Sequence, residues 1–192
     1  FIPVTRESLE DCHYRGAKDI LAVYTKNRPG TKIFNGKGLI LGGSHSVNNF
    51  SNDSLYGDLS AILIKNAPFW VDLIKTPKTS IALLGDFEEK LNRITKLTVD
   101  ENVTNISGVP SWYLVLIKQI LAYTGKTNLT EVWPNLEVFF HGGISFTPYR
   151  EQFRNFIRGE QMQYMETYNA SEGFFGLQDD PSSNDMLLML DL

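Results

Sequence analysis

The chain has 192 residues, 42% of them hydrophobic and 12% aromatic, with 18 basic against 22 acidic side chains. That length suits one domain of roughly 150 residues with an extension, and so much apolar surface excludes a disordered chain. A net charge of −4 argues against a dedicated nucleic-acid binder, which needs a basic excess to displace counterions from phosphates. No apolar run approaches the roughly 20 residues of a membrane span; the run Met186 to Leu190 is strand-sized. The lone cysteine, Cys12, cannot form an internal disulfide and points to a reducing, cytoplasmic setting.

Thr5 to Asn27 is predicted as a helix. Thr5 caps it, Glu7 suits its positive end, and Arg28-Pro29-Gly30 stops it. Leu9, Cys12, His13, Gly16, Ile20, Val23 and Tyr24 fall on one face, with Cys12 expected there as a small buried apolar residue. Gly38 to Gly43 reads as a strand entering a tight loop, and Asn48 to Asp53 as a polar loop. Asp58 opens a helix to Asn66, stopped near Pro68. A charged amphipathic helix is expected from Asp86 to Asn102, then a strand from Val103 to Ser107. Pro110 leads into the helix Ser111 to Tyr123, with Gly125 just past its end. Leu136 to Phe140 is a strand, Pro148 opens a helix to about Ile157, Met162 to Thr167 is a strand, and Met186 to Leu190 a buried one. Gln178 to Asp185 reads as a surface hairpin or loop.

Strands alternating with helices predict an α/β fold, a mainly parallel sheet flanked by helices. Ligands of such sheets bind beyond the carboxyl ends of the strands. Three strand ends carry candidate loops: GGSHS (Gly42 to Ser46), HGGIS (His141 to Ser145) and YNASEG (Tyr168 to Gly173). GGSHS fits no phosphate-loop spacing and reads as a tight turn. Ser44 and His45 lack a nucleophile elbow, which argues against a hydrolase. His13, His45 and His141 lie in separate segments, without the spacing of a zinc site. The six Asn-x-Ser/Thr sequons, from Asn49 to Asn169, read as chance occurrences.

HGGIS alone is a turn, and YNASEG alone is a turn with an acid in it. They gain meaning as a pair at consecutive strand ends. Gly142 and Gly143 offer a flat backbone surface to a planar base, and Tyr168 an opposing ring. Ser171 offers a hydroxyl to a phosphate oxygen, and Glu172 a hard oxygen ligand for the Mg²⁺ that accompanies ATP.

The pair resembles the adenine-binding glycine loop and the Y-x-x-S/T-E motif of acyl-adenylate-forming enzymes. The runs FIPVTRESLEDCHYRGAKDIL, EVWPNLEVFFHGG and YMETYNASEGFFGLQDD resemble, more narrowly, bacterial members of the Gretchen-Hagen-type, auxin-responsive acyl-acid amido synthetases. The likeness extends over essentially the whole chain. It implies a ligase that adenylates a small carboxylic acid with ATP and Mg²⁺, then passes the acyl group to an amino acid. By the same resemblance, Tyr168 stacks on adenine, Ser171 contacts the α-phosphate, Glu172 holds Mg²⁺, and Gly142 and Gly143 form the adenine wall. Ile144 and Phe146 would face the acid pocket, with Val109 and Trp112 as softer candidates for it.

The family's phosphate loop, ribose aspartate and lysine-bearing C-terminal domain have no counterpart in these residues. The chain is therefore expected to be a single incomplete α/β domain over residues 1–192, the central part of the adenylating N-terminal domain, inactive and prone to self-association by itself. Two other readings compete with the amido synthetase. One is an acyl-CoA ligase, whose acceptor lies outside the adenylation residues; the other is a non-catalytic module that kept the fold.

Overall fold

The computed structural model describes residues 2–43, 48–51 and 54–190. Among these, seven strands form one sheet in the order β4-β1-β5-β6-β7-β8-β9. They are β1 (Lys37–Leu41), β4 (Lys75–Thr76), β5 (Val103–Gly108), β6 (Val138–Gly142), β7 (Gln163–Ala170), β8 (Gly173–Leu177) and β9 (Leu187–Leu188). From β4 to β7 every pairing is parallel, while β8 and β9 add antiparallel strands at one side. The α/β fold with a mainly parallel sheet therefore stands. A separate hairpin pairs β2 (Asn48–Ser51) with β3 (Ser54–Tyr56), where a polar loop was expected.

Helices cover both faces. On one side lies α1 (Tyr14–Asn27), entered by a π-helical turn Ser8–His13. Its Ile20 and Tyr24 pack against Val138, Phe140, Met165, Phe174 and Leu177 from β6, β7 and β8. Thr5 accepts from the Ser8 amide through its hydroxyl at 3.1 Å, the capping role expected of it. On the other side, α5 (Phe87–Thr98), α6 (Pro110–Thr124) and α7 (Arg150–Phe156) share a core with Leu39, Leu41, Ile106 and Phe139. Local chemistry sets the helix ends. Asp58 accepts from the Ser60 amide at the start of α2 (Leu59–Asn66), and Asp86 from the Glu89 amide at the start of α5. Gly125 takes the left-handed conformation, φ +67°, that ends α6.

Two boundaries differ from expectation. α5 stops at Thr98, not Asn102, because the chain turns at Asp100-Glu101 to enter β5. The Trp133 indole, buried beneath that end, donates to the Thr98 carbonyl at 2.8 Å and supplies a partner for it. The Met186 to Leu190 run is not a buried strand: only Leu187–Leu188 pair, and both side chains stay exposed. The stretch between α2 and α5, with no expectation attached, holds the short helices α3 (Val71–Ile74) and α4 (Thr79–Ala82) and the edge strand β4.

One buried carboxylate joins the layers. Glu137, just before β6, accepts from the Tyr24 hydroxyl of α1 at 2.9 Å, the Lys32 amide at 3.1 Å and the Thr31 hydroxyl. Burial first, and the carboxylate beside it, push the Tyr24 phenol pKa well above its ordinary value. Glu137→Ala would strand the buried Tyr24 hydroxyl and release the Thr31 and Lys32 donors, a loss of about 2–3 kcal/mol. The expected result is a fall in thermal midpoint of about 5–10 °C, with Glu137→Gln losing less. A Glu137→Ala midpoint within about 2 °C of wild type would refute this role.

Candidate functional site

The parallel pairing of β6 with β7 puts two of the three suspected segments side by side. In that register Gly142 lies opposite Thr167. Gly142 has no room for a side chain: a Cβ would sit 2.5 Å from the Thr167 carbonyl oxygen and 2.8 Å from its hydroxyl. The same hydroxyl donates to the His141 carbonyl at 3.2 Å, holding the strand ends together. Gly143 has a different reason to be glycine. Its φ is +81°, and beyond it only Val109 approaches, with Cγ2 at 3.5 Å from a built Cβ. The result is a bare backbone step at the carboxyl edge, exposed at Gly143.

The next segment is not a loop after a strand ending at Thr167. β7 continues through Ala170, and Ser171-Glu172 form a two-residue turn into β8. Tyr168, Asn169 and Ala170 therefore stand on a strand, and YNASEG is the tip of a β-hairpin. The register shifts between Tyr168 and Asn169, so that Phe175 is the extra residue of a bulge. Phe175 meets the exposed Tyr168 ring at 5.2 Å between centroids, which gives that ring a neighbour on the hairpin itself. Ser171 is half-buried and Glu172 exposed.

Beneath the glycine step the floor is apolar and neutral. His141 is buried and stacks on Phe146 at 4.2 Å. Burial, helped by the nearby Arg150 charge, pushes its pKa down to about 3, so it is uncharged near neutrality. Arg150 lies 5.2 Å above the other ring, that of Phe146.

The softer candidates divide. Ile144 is exposed beside the step, and Val109 borders it. Phe146 is fully buried among Phe139, Phe153 and Tyr164, so it supports the floor and does not line an open pocket. Trp112 packs edge-on against Phe87 of α5 at 6.2 Å. Ser44, His45 and Ser46 of GGSHS lie outside the described residues. A cavity of about 450 Å³ opens elsewhere, between α7 and β7, lined by Arg150, Arg154 and Tyr164 among others; none of the candidates lines it.

Among the described residues no three His, Cys, Asp or Glu side chains cluster as a metal cage. A lone exposed carboxylate such as Glu172 fits instead a cation that keeps water and phosphate ligands, as Mg²⁺ does. The exposed backbone at Gly143, approached only by Val109, likewise leaves open the space that a planar ring would need.

Comparison with known proteins decides the family. The GH3 family N-terminal domain matches residues 1–162. The chain belongs to the GH3 family. The fold agrees with that assignment. GH3.15 acyl acid amido synthetase superposes with a TM-score of 0.70 at 16% identity, covering 96% of this chain and 42% of that one. AtGH3.15 acyl acid amido synthetase in complex with 2,4-DB gives a TM-score of 0.68 at 16% identity, covering 96% and 41%. The GH3 chain described here thus spans about two fifths of the length of these structures. No curated protein matches it in sequence. No helix among its described residues is long and apolar enough to cross a membrane.

The two GH3 glycines are separable by substitution. Gly143→Ala meets no backbone atom and costs conformational strain alone, about 1 kcal/mol. Gly142→Ala drives a methyl into a strand carbonyl that cannot move without parting β6 from β7, and should cost about 2–3 kcal/mol. Thermal denaturation of both variants checks this order, and equal losses would show that the close approach at Thr167 is not rigid.

Proposed function

We propose that this GH3 chain carries the nucleotide-binding edge of an ATP-dependent acyl-acid amido synthetase. The supporting observation is the adjacency of the glycine step and the β7–β8 hairpin at the carboxyl edge of a parallel sheet, where ligands of such sheets bind. In this reading Gly142 and Gly143 present backbone to one face of adenine, and Tyr168 presents its exposed ring to the other. Ser171 at the turn donates to an α-phosphate oxygen. Glu172 beside it holds Mg²⁺, which when bound offsets negative charge developing on the phosphates. Ile144 and Val109, next to the step, border the acid.

The reaction follows from bringing these groups together. The acid's carboxylate oxygen attacks the α-phosphorus, the bond to the bridging oxygen breaks, and pyrophosphate leaves. The amine of an amino acid then attacks the acyl carbon, AMP leaves with the carboxyl oxygen, and the amine proton goes to solvent or base. The edge contributes by orienting the phosphate and stabilising its charge, the two terms that dominate phosphoryl chemistry.

Acid-dependent ATP–pyrophosphate exchange by the full-length protein tests this directly. Glu172→Gln should lower exchange by about 10²-fold or more, the scale of one lost preorganised charge contact. Tyr168→Ala should raise the KM for ATP about tenfold through lost base stacking. Both side chains are exposed, so thermal midpoints should hold within about 2 °C. Near-wild-type exchange by Glu172→Gln would leave it an ordinary turn acid and end the metal assignment. Replacing the amino acid by coenzyme A in the second half-reaction identifies the acceptor.

A further inference from the structure

The tip of the hairpin that carries Tyr168, Ser171 and Glu172 extends past Gly142 and Thr167, the last pair of β6 with β7. A two-residue turn on two strands has little rigidity of its own. It is nevertheless held at one rung from outside. Asn169 of β7 and Phe174 of β8 are cross-strand partners, immediately before and after Ala170, the turn and Gly173. Both are tied to the N-terminal helical segment. The His13 imidazole donates from Nδ1 to the Asn169 side-chain oxygen at 2.9 Å. The Phe174 amide donates to the Cys12 Sγ at 3.2 Å. One turn further along, Gly16 lies so close to the Phe174 ring that a Cβ there would come within 2.3 Å of it.

Each contact follows from a local feature. The bulge at Phe175 interrupts the ladder, and the Phe174 amide finds its partner in a sulfur on the facing segment. The segment that supplies Cys12 and His13 is the π-helical turn Ser8–His13, and π-helical insertions concentrate at functional positions. His13 is buried with no partner for its Nε2 among the described residues, an arrangement that costs stability in a residue serving only to fill space. Desolvation lowers its pKa, and in the neutral ring the acceptor oxygen of Asn169 selects the tautomer that carries its proton on Nδ1.

We propose that the turn Ser8–His13 is the positioning strut of the nucleotide hairpin, His13 acting through Asn169 and Cys12 through Phe174. Neither residue touches substrate. The strut sets where Tyr168 and Glu172 stand relative to the glycine step, and so governs affinity for the nucleotide but not for the acid. The inference rests on the nucleotide reading above.

The experiment uses the full-length protein with His13→Ala, Asn169→Ala, their double variant and His13→Gln, beside Tyr168→Ala and Glu172→Gln as references. Steady-state exchange gives the KM for ATP and for the acid separately, and hydrogen exchange follows the amides of 169–174 without nucleotide. His13→Ala and Asn169→Ala should each raise the KM for ATP about tenfold, the scale of one hydrogen bond to a neutral partner. The acid KM should stay within about twofold. The double variant should be no worse than either single one, since both remove one interaction. His13→Gln keeps an N–H donor and should recover most of the affinity, and the Phe174 amide should exchange faster in His13→Ala. An unchanged KM for ATP in a folded His13→Ala, or equal rises for ATP and acid, would overturn the strut. Should His13→Ala not fold, Asn169→Ala carries the same test. If Tyr168→Ala leaves the KM for ATP unchanged and Glu172→Gln leaves the exchange rate unchanged, the nucleotide reading has failed; if both respond as expected and His13→Ala does not raise the KM for ATP, the strut has failed alone.

Discussion

The close approach of β6 to β7 at Gly142 and Thr167 is the constraint on which the carboxyl edge depends. A parallel strand pair leaves room for side chains on either face but little for one that points into its neighbour's carbonyl. Gly142 meets this by having no Cβ, and the Thr167 hydroxyl fastens the two strand ends through the His141 carbonyl. The register follows. A slip of one residue would exchange the faces of β7, burying Tyr168 and Glu166 where Met165 now fills the α1 side. The face on which Tyr168 stands is therefore set from the residue before it, Thr167, by the strand register.

Two cores hold that register from opposite sides. Phe139 and His141 of β6 face α6 and α7, while Val138 and Phe140 face α1. The alternation is that of a strand buried on both faces, and it explains why Val138 to Phe140 is continuously apolar. His141 completes the run as a neutral, stacked ring, so a nominally basic residue behaves as an aromatic spacer beneath the glycine step. The Glu137 carboxylate closes the opposite end of the same strand by gathering donors from α1 and the turn that follows it. β6 is thus pinned at both ends by polar contacts and along its length by packing, and the edge it presents is correspondingly rigid.

What the sequence discloses and what it hides divide along physical lines. Capping acids, a proline at a helix start and a glycine past a helix end are local signals, and Asp58, Asp86, Pro110 and Gly125 each act where local chemistry requires. The α1 face is legible because Leu9, His13, Gly16, Ile20 and Tyr24 obey one period and all are buried. The pair of candidate segments at adjacent strand ends is legible too, since parallel neighbours joined by one helix follow from chain order. The β7–β8 hairpin is not. Tight hairpins are usually signalled by Asn-Gly or a similar pair able to take positive φ, and no non-glycine residue among those described has one. Ser171-Glu172 turn the chain without that signature, and a bulge at Phe175 absorbs the mismatch. Phe146 misleads for another reason. Its position after a glycine loop suggests a pocket, but the chain turns back at once into α7 and carries the ring into the core.

The hairpin changes what the motif can do. On a free loop, Tyr168 and Glu172 would owe their positions to whatever they bind, and ordering them would cost conformational entropy at each binding event. On a strand pair, the Tyr168 side chain projects in a direction set by the pleat, and Ser171 and Glu172 sit at a turn whose two legs are hydrogen-bonded. That shifts the ordering cost from binding to folding, where the α1 side of the core offsets it through Phe174 and Leu177. The sulfur at Cys12 and the ring at His13 then act on a structure already formed. In the proposed site they need supply only the orientation of the hairpin relative to β6, a small displacement with a large effect, because a base held between a backbone step and a ring would tolerate little change in the gap between them.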